Sequence, residues 1–209
     1  MCFMVPLEKY ERMQDRRKPV KKSFGSKPLV HPAPVWIVCT YDDDRKPNAM
    51  AVAYAGICCS QPPCVTVSLR KATYTYGNII ARKAYTINVP SEAQVVEADY
   101  VGIASGRDVD KFAVTGLTPV KSKLVDAPYI DEFPLVLECK LLHTFEIGKH
   151  TQFIGEIIDV KVEEDVIGTD GFPDMRKIKP IIYAPSNRVY FGIGKYLGDA
   201  YTIGKKFGK

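Results

Sequence analysis

Arg70, Lys71 and Thr73 stand where two local patterns meet. The run 65–69 alternates sides and is rich in β-branched residues, as a strand does, and the residues after Thr73 have the pattern of a short helix. Two cations, a hydroxyl and the free N–H groups of a helix start are the donors that hold a phosphate, so a phosphorylated ligand is expected here. His150 lies on the turn GKH between two long β runs, where a lone histidine by itself reads as an exposed hairpin residue. Six cysteines invite a second reading: Cys58 and Cys59 are adjacent and Cys64 follows across a Pro-Pro turn, so CCSQPPC could clasp a metal or close a disulfide. Structural zinc draws two ligand pairs separated by a longer loop, and His31, His143 and His150 show no such pairing. Reduced, buried cysteines acting as small hydrophobes are the expected state, and no metal is expected.

The elements that must position these residues are mostly strands. VWIVCTY at 35–41 leads through the polar turn DDDRKPN into AMAVAYAGI, which reads as a hairpin. CVTVSL follows, then a helix from about Tyr74 to Arg82 and a strand AYTINV at 84–89. Ser91 and Gln94 have capping-box spacing ahead of a second helix over VVEADYVGI. A loop at 105–110 and a turn around Lys111 precede long β runs at 134–147 and 151–163. Shorter strands are expected near 179–183 and 188–192, before a short helical or coiled C-terminal piece. This order predicts a mainly β, antiparallel, closed or nearly closed barrel with a few short helices. FGIGKYLG at 191–198 is the nearest approach to a dinucleotide fingerprint. Its third glycine comes one residue late and no βαβ unit surrounds it, so those glycines read as turn and packing positions.

Charge narrows the function classes. The chain of 209 residues has a formal net charge of +5, and residues 1–30 alone hold eight Lys or Arg against three acids. The remainder is formally neutral, with 21 charges of each sign. A nucleic-acid-binding body is expected to keep its basic excess in the folded part, so no nucleic-acid partner is expected. Residues 1–22 read as a basic N-terminal arm and 23–209 as one folded domain. No apolar run approaches the ~20 residues of a membrane span. The arm lacks the apolar centre of a secretory signal, so a cytoplasmic location is expected and no membrane partner.

Longer stretches carry a family resemblance. A strand starting NAM, the turn SQPP, a strand ending SLRK and the following ATYTYGNI occur in that order. GRDVDKFAVTGLTP begins at Gly106, and FPLVLECKL and IGKHTQFIGEI lie between Phe133 and Ile157. Over about residues 23–200 the chain resembles the flavoredoxin branch of the flavin reductase-like, FMN-binding split-barrel proteins. The resemblance implies a Greek-key split barrel that binds FMN, with the ring against the strand from Asn48 to Ala53, where Met50, Ala51 and Ala53 leave room. Tyr54 departs from the Ser or Trp expected there in relatives. The phosphate tail is implied at Ser68, Leu69, Arg70, Lys71 and Thr73, with Tyr74, Tyr76 and Asn78 along the ribityl or phosphate side. Core packing is the other reading of the tyrosines. Lys111 and Phe112, in VDKF, resemble an element that reaches the flavin region, often across a dimer interface. His150 is implied on the open face of the flavin, beside the nicotinamide and remote from the phosphate.

The activity implied is that of an oxidoreductase that takes hydride from NAD(P)H as a transient donor onto FMN and passes electrons to a small-molecule or protein acceptor. A homodimer is implied too. The alternative is a non-enzymatic FMN-binding electron carrier, reduced by a protein partner.

Overall fold

The computed structural model describes residues 20–208; most of the expected basic arm, residues 1–19, lies outside them. In chain order the strands are β1 (Ala33–Pro34), β2 (Trp36–Tyr41), β3 (Pro47–Val52), β4 (Ala55–Ser60), β5 (Pro63–Arg70), β6 (Ala84–Val89), β7 (Pro119–Lys121), β8 (Pro128–Ile130), β9 (Leu135–Ile147), β10 (His150–Val162), β11 (Ile182–Ala184) and β12 (Val189–Phe191). The helices are α1 (Tyr74–Arg82), α2 (Val95–Ile103), α3 (Lys111–Thr115) and α4 (Met175–Ile178).

Seven strands form one antiparallel sheet in the order β3-β2-β6-β9-β10-β5-β4. Its two outermost strands, β3 and β4, are consecutive in sequence and joined only by Ala53 and Tyr54, so the sheet must curl until its ends meet. The run AMAVAYAGI is therefore two strands at opposite edges of the sheet. Tyr54 lies at the break, and its carbonyl accepts from the Ser68 N–H at 2.8 Å. Beyond that point the outer edge of β3 has no ladder partner among the described residues, and this seam is the split in the barrel.

Apolar residues pack on both faces of the curled sheet. Inside lie Val38, Val65, Val67, Leu69, Tyr85, Ile87 and Phe153, all essentially without solvent contact. Outside, Ile37, Cys39 and Ala49 pack under Ala98 and Val101 of α2 and Phe112 of α3. The Ser91/Gln94 capping box is present, with Gln94 Oε1 accepting from the Ser91 N–H at 2.9 Å, and it opens a short 3-10 turn that runs on into α2. The turn around Lys111 is the helix α3, started by Asp110, whose carboxylate accepts from the Ala113 N–H, and stopped by Gly116 at φ 73°. A small sheet β1-β11-β12 hangs beside the seam. The glycines after β12 lie in exposed coil rather than at a strand-to-helix turn.

Candidate functional site

The free edge of β3 forms one wall of a cleft of about 650 Å³. That volume lies within the ~300–1,000 Å³ of small-molecule sites. Met50, Ala51, Val52, Ala53 and Tyr54 supply this wall, and Ser68, Leu69 and Arg70 at the end of β5 face it across the seam. The chain then turns through Ala72 and Thr73 into α1, and the loop from Gly102 to Arg107 after α2 closes the third side. Small residues matter where backbones come close. A Cβ on Gly102 would stand 3.0 Å from that of Ala51, and one on Gly106 would strike the Asn48 side chain and lie 2.8 Å from the Tyr74 ring.

The start of α1 has free donors at the cleft. Thr73, its N-cap, gives its side chain no role in capping; the hydroxyl donates instead to the Arg70 carbonyl at 2.9 Å, so the first N–H groups of the helix remain available. Arg107 comes from the opposite loop. Its guanidinium lies 5.2 Å from the Tyr74 ring centre and donates to the Ala72 carbonyl at 3.0 Å, which places a fixed cation at the helix start. Tyr74 is held in turn by Asp42 Oδ2, to which its hydroxyl donates at 2.8 Å, and this bond pushes the phenol pKa upward. Arg70, Arg107, Arg188 and Lys111 line the cleft, and no Asp or Glu stands among its described lining residues.

Lys111 forms part of the floor. Its ammonium donates to the carbonyls of Ala49, at 2.7 Å, and Val101, at 2.8 Å, and so ties β3 to α2. Burial lowers its pKa to about 8. His150 opens β10 directly opposite Arg70 in the ladder, and its ring lies 5.4 Å from that of Tyr54. The expected separation of His150 from the phosphate end is thus not met: directly paired residues of antiparallel strands stand only ~4.5–5.5 Å apart at Cα.

Of the residues singled out from the sequence, Met50, Ala51, Ala53, Ser68, Leu69, Arg70, Thr73, Tyr74, Lys111 and His150 line the cleft. Five do not. Lys71 leans away to Glu146 at 2.6 Å, a bond that raises its pKa, because neighbouring residues of a strand point to opposite faces. Tyr76 packs edge-on against Phe153, and Phe112 sits in the outer core. Asn78 donates to Thr40 Oγ1, and Asn48 donates to Thr75 Oγ1 and lies behind Gly106. Arg107 and Arg188 escaped the sequence reading. Arg107 is the second letter of the quoted motif GRDVDKF, so the signal was present, whereas Arg188 reaches the cleft only through the pairing of β11 with β12.

A narrower recess of about 310 Å³ continues from the cleft between Val35, Val52, Ile103 and Tyr190. The Tyr190 hydroxyl donates to Asp99 at 2.8 Å, and burial together with this bond raises its pKa. A largely apolar recess, lined also by Asp99 and Arg188, joined to a cationic cleft suits a ligand with a flat aromatic end and an anionic end.

A model of the flavin reductase like domain matches residues 29–192, which include every wall of the cleft. The chain belongs to this family. The structure of flavoredoxin from Desulfovibrio vulgaris (Miyazaki F) is 55% identical, covers 89% of this chain and all of that one, and superposes with a TM-score of 0.86. Flavoredoxin from Methanosarcina acetivorans is 29% identical, with 91% and 99% coverage and a TM-score of 0.82. A high molecular weight rubredoxin of Moorella thermoacetica is 29% identical over 151 residues, 70% of this chain and 58% of that protein. The architecture is a mainly β split barrel with a few short helices, and both flavoredoxin structures share it.

Proposed function

We propose that the cleft binds FMN and that the protein is a flavin reductase-type oxidoreductase, accepting hydride from NAD(P)H and passing electrons to an acceptor. The observation that carries this reading is the charge of the cleft: three arginines and a lysine, no carboxylate among the described lining residues, and an uncapped helix start at the same end. Arg70, Arg107 and the first N–H groups of α1 fit a terminal phosphate, while no second fingerprint for an adenine half occurs. The unpaired edge of β3 offers N–H and C=O groups to the polar rim of a flat ring, and the small side chains of Ala51 and Ala53 leave it room. When bound, the flavin supplies the hydride-accepting chemistry. The chain's own residues orient it, exclude water along the recess, and set a positive field that favours negative charge on the bound group.

Likeness to a protein named rubredoxin favours a second reading, an FMN-binding carrier reduced by a protein partner. We also propose a homodimer. Leu142, Phe145 and Ile147 on the far half of β9 are 41%, 52% and 60% exposed, and a second copy is the simplest cover for them. The five described cysteines are free, which suits a reducing, cytoplasmic setting; Cys39, Cys64 and Cys139 are buried as small hydrophobes, but Cys58 and Cys59, at the end of the edge strand β4, are exposed, contrary to the expectation. The test has two steps. The purified protein should release FMN, rather than FAD or riboflavin, on denaturation. Anaerobic mixing with NADH or NADPH should then bleach the flavin within seconds. Released FMN without bleaching by either nucleotide would leave the carrier reading, and no flavin affinity would remove both.

A further inference from the structure

We infer that Cys59 and Cys64 form a reversible dithiol that reacts with hydrogen peroxide, apart from the cleft and from the electron path. Neither residue lines the cleft. The β4–β5 hairpin turns through Gln61 and Pro62, with Ser60 paired to Pro63 and Cys59 paired directly to Cys64. Paired positions of antiparallel strands stand ~4.5–5.5 Å apart at Cα with side chains on one face. A disulfide needs about 4.4–6.8 Å, so the backbone already holds this pair at bonding distance. The third thiol is set apart by the strand itself. A bulge between Ile57 and Cys59 puts Cys58 out of register, without a cross-strand partner.

Exposure assigns the roles. Cys59 is open to solvent, and Cys64 is buried between β4 on one side and β10 on the other, where it pairs with Glu156. The Cys59 thiolate attacks one oxygen of hydrogen peroxide, breaking the O–O bond; sulfenic acid forms and hydroxide leaves, taking up a proton to become water. The Cys64 sulfur then attacks the sulfenic sulfur, an S–S bond forms, and a second water leaves with the Cys64 proton. Two thiols lose two electrons, and the peroxide is reduced to two waters. Capture by Cys64 keeps Cys59 from the irreversible sulfinic stage, and a reducing dithiol restores both thiols.

The full-length protein is treated with a few equivalents of hydrogen peroxide, its remaining thiols are alkylated, and the tryptic peptide spanning residues 46–70 is mapped by mass spectrometry without reduction. The expected peptide carries one alkyl group, on Cys58, and has lost two hydrogens through a Cys59–Cys64 link that dithiothreitol reverses. Cys58→Ser should keep this product, and Cys59→Ser should abolish it. Cys64→Ala should instead accumulate sulfinic acid on Cys59; because Cys64 is buried, circular dichroism of that variant is recorded alongside, and the exposed Cys59→Ser alone suffices if it misfolds. Linkage through Cys58, or sulfinic acid on Cys59 with Cys64 still alkylated in the unmutated protein, would overturn the assignment.

Discussion

Arg70 and Lys71 are adjacent in sequence and have opposite fates. Arg70 lines the cleft, while Lys71 pairs with Glu146 on the exposed hairpin arm. Surface pairs of this kind add little, so Lys71→Ala should leave FMN affinity within about twofold, whereas Arg70→Ala removes a charge-assisted bond of ~1.5–3 kcal/mol and weakens binding by at least about tenfold. Equilibrium fluorescence titration separates the two. His150 stands beside Arg70 rather than far from it, so His150→Ala should cost FMN affinity by several-fold as well as slowing reduction, a pairing of effects read by the same titration and by anaerobic stopped flow. The cleft-lining positions at 68–70, 73 and 74 were legible because a strand end and a helix start are both local patterns. Which of two neighbouring cations lines the cleft, and that Arg107 joins it from 37 positions away in sequence, depend on the tertiary fold.

At the scale of elements, the packing of the loop after α2 against β3 and α1 decides the shape of the cleft. Gly106 has no space for a side chain between Asn48 and Tyr74, so Gly106→Ala should destabilise the protein by ~1–3 kcal/mol in urea unfolding and loosen the cation Arg107 beside it. Lys111 ties the same layers with a measurable pH signature. Burial lowers its pKa from 10.5 to about 8, so the folded state gives up this proton first. Between these values the unfolded chain binds more protons, and stability from this group rises with pH; below 8 the full burial penalty remains. The unmutated protein should therefore gain stability relative to Lys111→Met as pH rises through this window, as read by urea unfolding at several pH values. A pH-independent difference would mean that Lys111 titrates normally. The capping box ahead of α2 and the long hairpin of β9 and β10 were readable from spacing and alternation. The break at Ala53 and Tyr54 was not, because alternation continues through it and only closure of the barrel sends the two halves to opposite edges.

The described residues form a curled sheet whose ends do not zip together, and that gap is the proposed ligand site. A homodimer should form through the exposed arm: Phe145→Glu with Ile147→Glu should give a monomer by light scattering, and an unchanged dimer would place the interface elsewhere. Replacing Cys58, Cys59 and Cys64 with Ser or Ala should leave flavin reduction intact, since none lines the cleft. The central claim is that this gap holds FMN by its phosphate, and the most direct measurement compares FMN with riboflavin, which lacks that phosphate. Both are titrated into flavin-free protein and into the Arg70→Ala, Arg107→Ala double variant. The double variant should lose at least about a hundredfold in affinity for FMN, the sum of two charge-assisted bonds, and change little toward riboflavin. Equal losses for both flavins, or an unchanged FMN affinity, would contradict the account.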